Sequence, residues 1–265
     1  MTAWLPVFAA DDGSAGSVTA GVLASLPLSY HDSDAAPGGV AVVGGSGGWP
    51  RRVAAALRAG AGGVIVTAPE PAGLGPLRTP DVAGGLIVVD SAWSSNPVVV
   101  PAGTAFRSAA TTGSRLECRV RVGVGRSLPA VLLNQLSLIR ALLAPAEELR
   151  ILHRSAHGFA GEALAGGVAV DLSATCTGAV PQRADARLLT ADGGVHVAIP
   201  DGATAEPALL TMTGPQGTLL APTIYESAHR ATWRRMHHLL TTGGRATDID
   251  DLEADIATAS ILAAG

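Results

Sequence analysis

The chain has 265 residues, of which 48% are hydrophobic and 15% charged, and its formal net charge is -4. This composition is typical of a globular protein with enough apolar surface for a core, and without a basic block it gives no reason to expect a nucleic-acid partner. All 18 of its lysine-plus-arginine residues are arginine, so Schiff-base chemistry and a P-loop lysine are excluded.

The longest apolar runs are too short to span a membrane, and the first residues lack the charged and apolar regions of a signal peptide. We therefore expect a cytoplasmic protein. Its two cysteines, Cys118 and Cys176, are then most simply free buried thiols.

The beginning of the chain has the order of a dinucleotide-binding unit. A strand over residues 5–9 leads into a turn with Gly13 and Gly16, and a helical stretch follows. Glycines in such a turn let backbone N–H groups approach a pyrophosphate. Asp11 and Asp12 place two negative charges where the phosphates would lie, so a capped helix start is the alternative interpretation.

The second strand of a nucleotide unit has little room. Residues 28–34 lead almost directly into the next apolar run, which begins at Val40. Asp32 or Asp34 stands where an acid for the ribose is expected, although acidic residues beside a turn are common. We interpret the nucleotide half as reduced.

A βαβ unit follows. The apolar run over residues 40–43 ends in Gly44–Gly48, a helical pattern comes next, and Val64–Val66 closes the unit. Such a crossover predicts a parallel sheet, which a further buried strand over Leu86–Asp90 extends. The glycines lie at the carboxyl end of a strand, where ligands of open α/β sheets bind, but they carry no phosphate signature.

The sequence predicts a reduced Rossmann-like parallel α/β domain over residues 1–106 and an α+β domain with a large, mostly antiparallel sheet over residues 107–265. Residues 101–113 are interpreted as a connector between them. The second domain should hold a half-exposed strand, a helix of about four turns, an antiparallel meander and two closing helices. These elements are expected over residues 116–122, 128–143, 148–223, 227–240 and 248–262.

The chain resembles the Gfo/Idh/MocA oxidoreductase family. Ala54–Gly60 followed by Val64–Pro71 is similar to the family segment A-L-x-A-G-K-x-V-x-x-E-K-P, and residues 226–260 resemble its closing pair of helices. The family lysine that contacts cofactor and substrate corresponds here to Ala68 or Glu70.

The family's D-x-x-x-H stretch aligns with residues 130–134. The proton-transferring histidine would be Asn134 and a following aspartate would be Ser137. Asparagine and serine can hydrogen-bond a substrate, but neither is a useful acid or base near neutral pH. The thiazolinyl imine reductase branch also departs from the lysine pattern, so the resemblance leaves reduction of a C=N bond open.

The best candidate for acid–base catalysis is His229, which shares a helix face with Trp233 and His237 at a spacing of four residues. The substrate-binding candidates are Asn134, Tyr225, Glu226 and Arg230. The alternative is a solvated, arginine-rich helix whose Trp233 packs on the sheet. His153, His157 and His196 lack a carboxylate motif or cysteine cluster, so we predict no metal site.

The residues favour a divergent family member that takes no cofactor and carries out proton transfer, elimination or cyclisation on a small molecule held between the two domains. The alternatives are a non-catalytic partner of an active paralogue and an NAD(P)H-dependent imine reductase, for which NADP would be the cofactor. The alanine- and arginine-rich composition favours a role in specialised metabolism. Large open sheets often pair, so we expect a homodimer, or a heterodimer with a paralogue, through the open sheet face.

Overall fold

The computed structural model describes residues 4–9, 20–21, 23–26, 29–33, 37–204 and 206–262. The chain divides into two compact units. The first unit comprises residues 1–91 and 229–253, and the second unit comprises residues 92–228 and 254–265. The chain thus enters the second unit after residue 91, returns to the first unit at residue 229 and enters the second unit again at residue 254.

The first unit contains a sheet of five parallel strands in the order β2-β1-β3-β4-β5. The strands are β1 (Leu5–Ala9), β2 (Tyr30–Asp32), β3 (Val40–Gly44), β4 (Gly63–Thr67) and β5 (Leu86–Asp90). Strands β3 and β4 are buried at every position, because a parallel sheet is covered on both faces. The order of the strands changes direction between β1 and β3, which is the topological switch point of the sheet.

Five helices have complete bounds. They are α1 (Trp49–Arg58), α2 (Val99–Ala109), α3 (Leu128–Leu142), α4 (Ala228–Thr242) and α5 (Asp248–Ala259). Residues 20–21 and 23–25 are also helical, and single 3-10 turns cover Gly75–Leu77 and Ser260–Leu262. None of the helices among the described residues is long and apolar enough to cross a membrane.

Helix α4 packs on the parallel sheet. Trp233 and Met236 are fully buried in one hydrophobic cluster with residues of all five strands. Gly63 in β4 makes this approach possible, because a Cβ at that position would lie 2.8 Å from the Met236 sulfur. The tryptophan and methionine thus belong to the core of the first unit.

Strand β5 forms one edge of this sheet, and the first residue of α5 is hydrogen-bonded to it. The backbone N–H of Val89 donates a hydrogen bond of 2.9 Å to Oδ2 of Asp248, the first residue of α5. Arg235 donates to both carboxylate oxygens of Asp248. A strand edge that is paired with a side chain in this way is less available for further strands.

The second unit contains an eight-stranded sheet in the order β13-β12-β11-β10-β6-β9-β8-β7. Its strands are β6 (Arg115–Val122), β7 (Ala146–Ser155), β8 (Gly158–Ala165), β9 (Val168–Cys176), β10 (Arg183–Thr190), β11 (Gly193–Pro200), β12 (Leu209–Gly214) and β13 (Gly217–Leu220). Strand β6 pairs in parallel with β9, and the other pairs are antiparallel. The predicted fold class is confirmed, although β6 interrupts the meander and β8 was not foreseen.

The prediction that residues 101–113 form a connector is wrong. Most of it lies in α2, with Pro101 in the first turn. Proline fits there because the first turn of a helix has no intrahelical acceptor for its N–H groups. Helix α2 packs against α3 and β11.

Candidate functional site

The carboxyl ends of β3, β4 and β5 are level with one another. Gly44 is in register with Thr67, and Thr67 is in register with Asp90. Two further bonds join the residues that follow, since Gly45 N–H donates to the Thr67 carbonyl and Ala68 N–H donates to the Asp90 carbonyl. Ligands of open parallel sheets bind at this edge, so its side chains form the candidate functional site.

A histidine from the C-terminal part of the chain meets this edge. Nδ1 of His229 lies 2.5 Å from Oδ2 of Asp90, the last residue of β5. The Asp90 side chain is fully buried, whereas the His229 side chain is one-third exposed. A carboxylate accepts from Nδ1–H, and this contact fixes the orientation of the imidazole ring.

Asp90 has a second partner on the same helix. The hydroxyl of Thr232, one turn after His229, donates to Oδ1 of Asp90 over 3.3 Å. The two carboxylate oxygens thus bind two side chains of α4, and the carboxylate is held in one orientation. A buried charge is stabilised when hydrogen bonds satisfy it, and the imidazolium form of His229 would complete an ion pair. The contact therefore places an imidazole and a buried carboxylate together at the carboxyl edge of the sheet.

The glycine loop after β3, residues 44–48, is bound by Arg52 of α1. The guanidinium donates to the carbonyl oxygens of Gly47 (2.7 Å), Gly44 (2.7 Å) and Ser46 (2.9 Å). Sequence patterns did not identify Arg52, because its position on a helix gives no sign that it folds back over the preceding loop.

The segment that resembles the family's lysine motif is held by contacts that other residues make with its backbone. A Cβ on Gly45 would lie 2.3 Å from the Cα of Pro69, so only glycine allows this close approach. The indole N–H of Trp49 donates to the carbonyl of Glu70 over 2.9 Å. Ala68 has a φ of 47°, in the left-handed region, and it brings no charge to the edge.

The substrate-binding candidates fall in different units. Arg230 follows His229 on the exposed side of α4 in the first unit, whereas Asn134, Tyr225 and Glu226 belong to the second. Asn134 Nδ2 donates to the carbonyl of Ala130 in its own helix, and Tyr225 is 80% exposed. Their roles in substrate binding stay predictions.

Ser137, the other position that aligns with a family catalytic residue, has a structural contact. Its hydroxyl donates to Oδ2 of Asp255 over 2.8 Å, and Arg140 donates to both oxygens of the same carboxylate. Asp255 is almost completely buried. Ser137 therefore takes part in a buried ion-pair network of the second unit.

Only part of the predicted nucleotide half lies within the residues that the structure describes. Asp11, Asp12, Gly13, Gly16 and Asp34 lie outside the described residues. Where little room was expected for a second strand, a short one of three residues forms, pairs with β1 and ends at Asp32.

Asp90 was missed as a site residue. The available signal was its position at the end of a buried apolar strand, at the edge where ligands bind.

No three histidine, cysteine or acidic side chains within the described ranges come together in a way that could hold a metal ion.

Comparison with known proteins identifies the fold. No family model matches the sequence, and no curated protein matches it. Among solved structures, KijD10, a 3-ketoreductase from Actinomadura kijaniata in complex with NADP, is 12% identical, with coverage of 100% of this chain and 96% of that one and a TM-score of 0.69. Levoglucosan dehydrogenase in its apo form is 10% identical, with coverage of 98% and 97% and a TM-score of 0.70.

A dehydrogenase (MviM) from Clostridium difficile is similar at 8% identity, with coverage of 98% of this chain and 99% of that one and a TM-score of 0.63. These structures are oxidoreductases of the Gfo/Idh/MocA type. The resemblance inferred from the sequence is thus confirmed at the level of the fold.

The prediction that the protein takes no cofactor is wrong in light of these comparisons. KijD10 matches this chain over its whole length and was solved with NADP bound. The short strand β2 gives the physical reason for the error, because it provides an acid-bearing strand end next to β1 without the long segment that the prediction required.

Proposed function

We propose that this chain, which has the fold of the Gfo/Idh/MocA oxidoreductases, is a nicotinamide-dinucleotide-dependent reductase of a small molecule with a C=O or C=N bond. His229 is the acid–base residue. The observation that carries the proposal is the contact of 2.5 Å between His229 Nδ1 and the buried Asp90 carboxylate at the carboxyl end of β5.

The described residues fit a dinucleotide. The sheet has its switch point between β1 and β3, and dinucleotides bind at such a point in related topologies. Asp32 ends β2 with an exposed carboxylate that suits ribose hydroxyl groups. The loop over residues 44–48 brings glycine backbone to the same edge, where a close approach is possible.

When bound, the dinucleotide would supply the hydride. The protein has to provide a proton for the oxygen or nitrogen of the reduced bond, and Nε2 of His229 is the atom that would deliver it. Asp90 stabilises the imidazolium before transfer and keeps the ring oriented after it. An acid held in this way contributes about 10²- to 10⁴-fold to a rate.

We also propose a substrate class and a set of substrate contacts. The composition favours tailoring of a small molecule in specialised metabolism, and Asn134, Tyr225, Glu226 and Arg230 remain the proposed substrate contacts. Reduction of a C=N bond is the finer proposal, because Ala68 or Glu70 occupies the position of the family lysine and the thiazolinyl imine reductase branch also departs from the lysine pattern. Pairing through the open face of the second sheet is also a proposal.

The test begins with calorimetric titration of the purified protein with NADPH and with NADH. A panel of small ketones and cyclic imines then follows, with oxidation of the reduced dinucleotide measured by absorbance. We expect saturable binding, and a His229→Asn variant should bind the dinucleotide with the wild-type dissociation constant but reduce the substrate at least about 100-fold more slowly.

Two results would contradict the proposal. The first is the absence of binding of both dinucleotides at millimolar concentration. The second is a His229→Asn variant with wild-type turnover, which would remove the histidine from the chemistry.

A further inference from the structure

The contact between Arg52 and the glycine loop has a geometric consequence for the loop amides. In a planar trans peptide the carbonyl and the following N–H point in opposite directions. Arg52 binds the carbonyl oxygens of Ser46 and Gly47, so the N–H groups of Gly47 and Gly48 point away from the guanidinium. Among the residues that the structure describes, neither N–H has an acceptor.

The glycines themselves are suited to contact with a ligand. Gly48 has a φ of 73°, which side-chain-bearing residues rarely adopt. At Gly47 a Cβ would meet no described atom within 4 Å. A methyl group at residue 47 is therefore tolerated by the described part of the fold, whereas it would occupy space beside the two N–H groups.

The position of the loop relates these donors to the cofactor. It follows β3, which borders the switch point of the sheet, and it precedes α1, whose second residue is Pro50 and has no N–H to offer. Backbone N–H groups before a helix suit an anionic group, and the fixed positive charge of Arg52 has the same preference.

We propose that Arg52 is a positioning residue that presets the N–H groups of Gly47 and Gly48 for the anionic part of the dinucleotide. The inference rests on the proposed function. It assigns Arg52 an effect on the affinity for the dinucleotide and little effect on proton transfer, because Arg52 acts on the loop and His229 acts on the substrate.

Four variants test it. Arg52→Ala removes all three carbonyl contacts, and Arg52→Lys keeps the charge without the planar fork. Arg51→Ala is the matched control, because it removes the same charge from the neighbouring exposed position of α1. Gly47→Ala leaves Arg52 unchanged and adds one methyl group beside the loop amides.

The first readout is the dissociation constant of NADPH or NADH by calorimetry. We expect about tenfold weaker binding for Arg52→Ala and for Gly47→Ala, about threefold for Arg52→Lys, and less than twofold for Arg51→Ala. The second readout uses the protein without dinucleotide. Hydrogen exchange of the peptide that contains residues 44–49 should be faster in Arg52→Ala and unchanged in Gly47→Ala.

The outcomes separate the two proposals. If the wild type binds and Arg52→Ala binds equally well, or if Arg51→Ala weakens binding to the same extent, the role of Arg52 is refuted while the proposed function stands. If the wild type binds neither dinucleotide, both fail. Should Arg52→Ala not fold, unchanged affinity in Arg52→Lys and Gly47→Ala together would refute the inference.

Discussion

The hydroxyl of Tyr30 donates a hydrogen bond of 2.6 Å to the backbone carbonyl of Trp233, 203 residues away in sequence. The two rings also meet edge to face, with their centroids 5.1 Å apart. This contact joins the short strand β2 to helix α4. Burial raises the pKa of Tyr30 well above its ordinary value, so the hydroxyl remains a donor throughout the physiological pH range.

Tyr30→Phe should lower the free energy of unfolding by about 1 kcal/mol, because it removes one buried hydrogen bond and keeps the ring contact. Denaturant titration of the two proteins measures the difference. Tyr30→Ala should cost about 3–5 kcal/mol, because the ring is lost as well. Equal stability of wild type and Tyr30→Phe would show that the hydrogen bond makes no net contribution.

Gly63→Ala should destabilise the protein by about 1–3 kcal/mol, because the new methyl group would lie 2.8 Å from the Met236 sulfur. Gly73→Ala is the control, since a Cβ at residue 73 meets no described atom within 4 Å. Thermal unfolding of both variants gives the comparison. If both have the wild-type Tm, α4 does not pack as closely on β4 as the structure indicates.

Asp248→Ala should cost about 1.5–3 kcal/mol, because it removes the acceptor of the Val89 N–H and both contacts with Arg235. Asp248→Asn keeps an oxygen for Val89 and should recover about half of that loss. Denaturant unfolding checks the order of the three proteins. An asparagine variant less stable than the alanine variant would contradict this assignment.

The thiol of Cys118 should resist alkylation in the folded protein at pH 8. Burial raises the pKa of Cys118 to about 12, and a hydrogen bond with Gln135 opposes that shift only in part. Because the folded-state pKa is above the unfolded one, the thiol stabilises the fold fully below about pH 8.5, and this contribution declines as the pH rises further.

The decline should have a slope of about 1.4 kcal/mol per pH unit between about pH 9 and pH 11. Comparison with Cys118→Ala isolates it, because the ionisation of Tyr30 contributes to both proteins in the same way. Titration with a thiol reagent should report two thiols after denaturation. Rapid labelling of Cys118 in the native protein would contradict its burial.

Asp90→Asn should lower turnover by about 100-fold, because an amide can occupy the same position but cannot stabilise the imidazolium of His229. The dissociation constant of the dinucleotide should stay within about twofold of the wild type. Thr232→Val, which removes the second partner of the carboxylate, should have a smaller effect of about threefold. Wild-type turnover in Asp90→Asn would exclude the pair from catalysis.

Much of the fold could be predicted because periodicity is local. The apolar runs that became β3, β4 and β5 and the helical spacing in α1, α3, α4 and α5 are visible in short windows of sequence. Strand β8 was missed because Gly158–Ala165 is rich in alanine and glycine, which have low strand propensity, and its pairing with β7 and β9 determines its conformation.

The candidate site was predicted only in part because its contacts are not local. His229 was identified from its neighbours on one helix, but its partner Asp90 lies 139 residues earlier. The bonds from Arg52 to the loop carbonyls depend on a side-chain conformation, which no spacing rule describes. Ser137 is the opposite case. The family resemblance aligned it with a catalytic aspartate, whereas in the structure its hydroxyl donates to Asp255 in a buried ion-pair network.

The return of residues 229–253 to the first unit has a consequence for synthesis of the protein. Trp233 and Met236 complete the core that includes residues of all five parallel strands, so this core lacks two of its largest side chains until most of the chain has been translated. The second unit, by contrast, has all eight of its strands once residue 220 has emerged from the ribosome. The second unit nevertheless needs Asp255 for its buried ion-pair network, so on a translating ribosome neither unit should reach full stability before α5 has emerged.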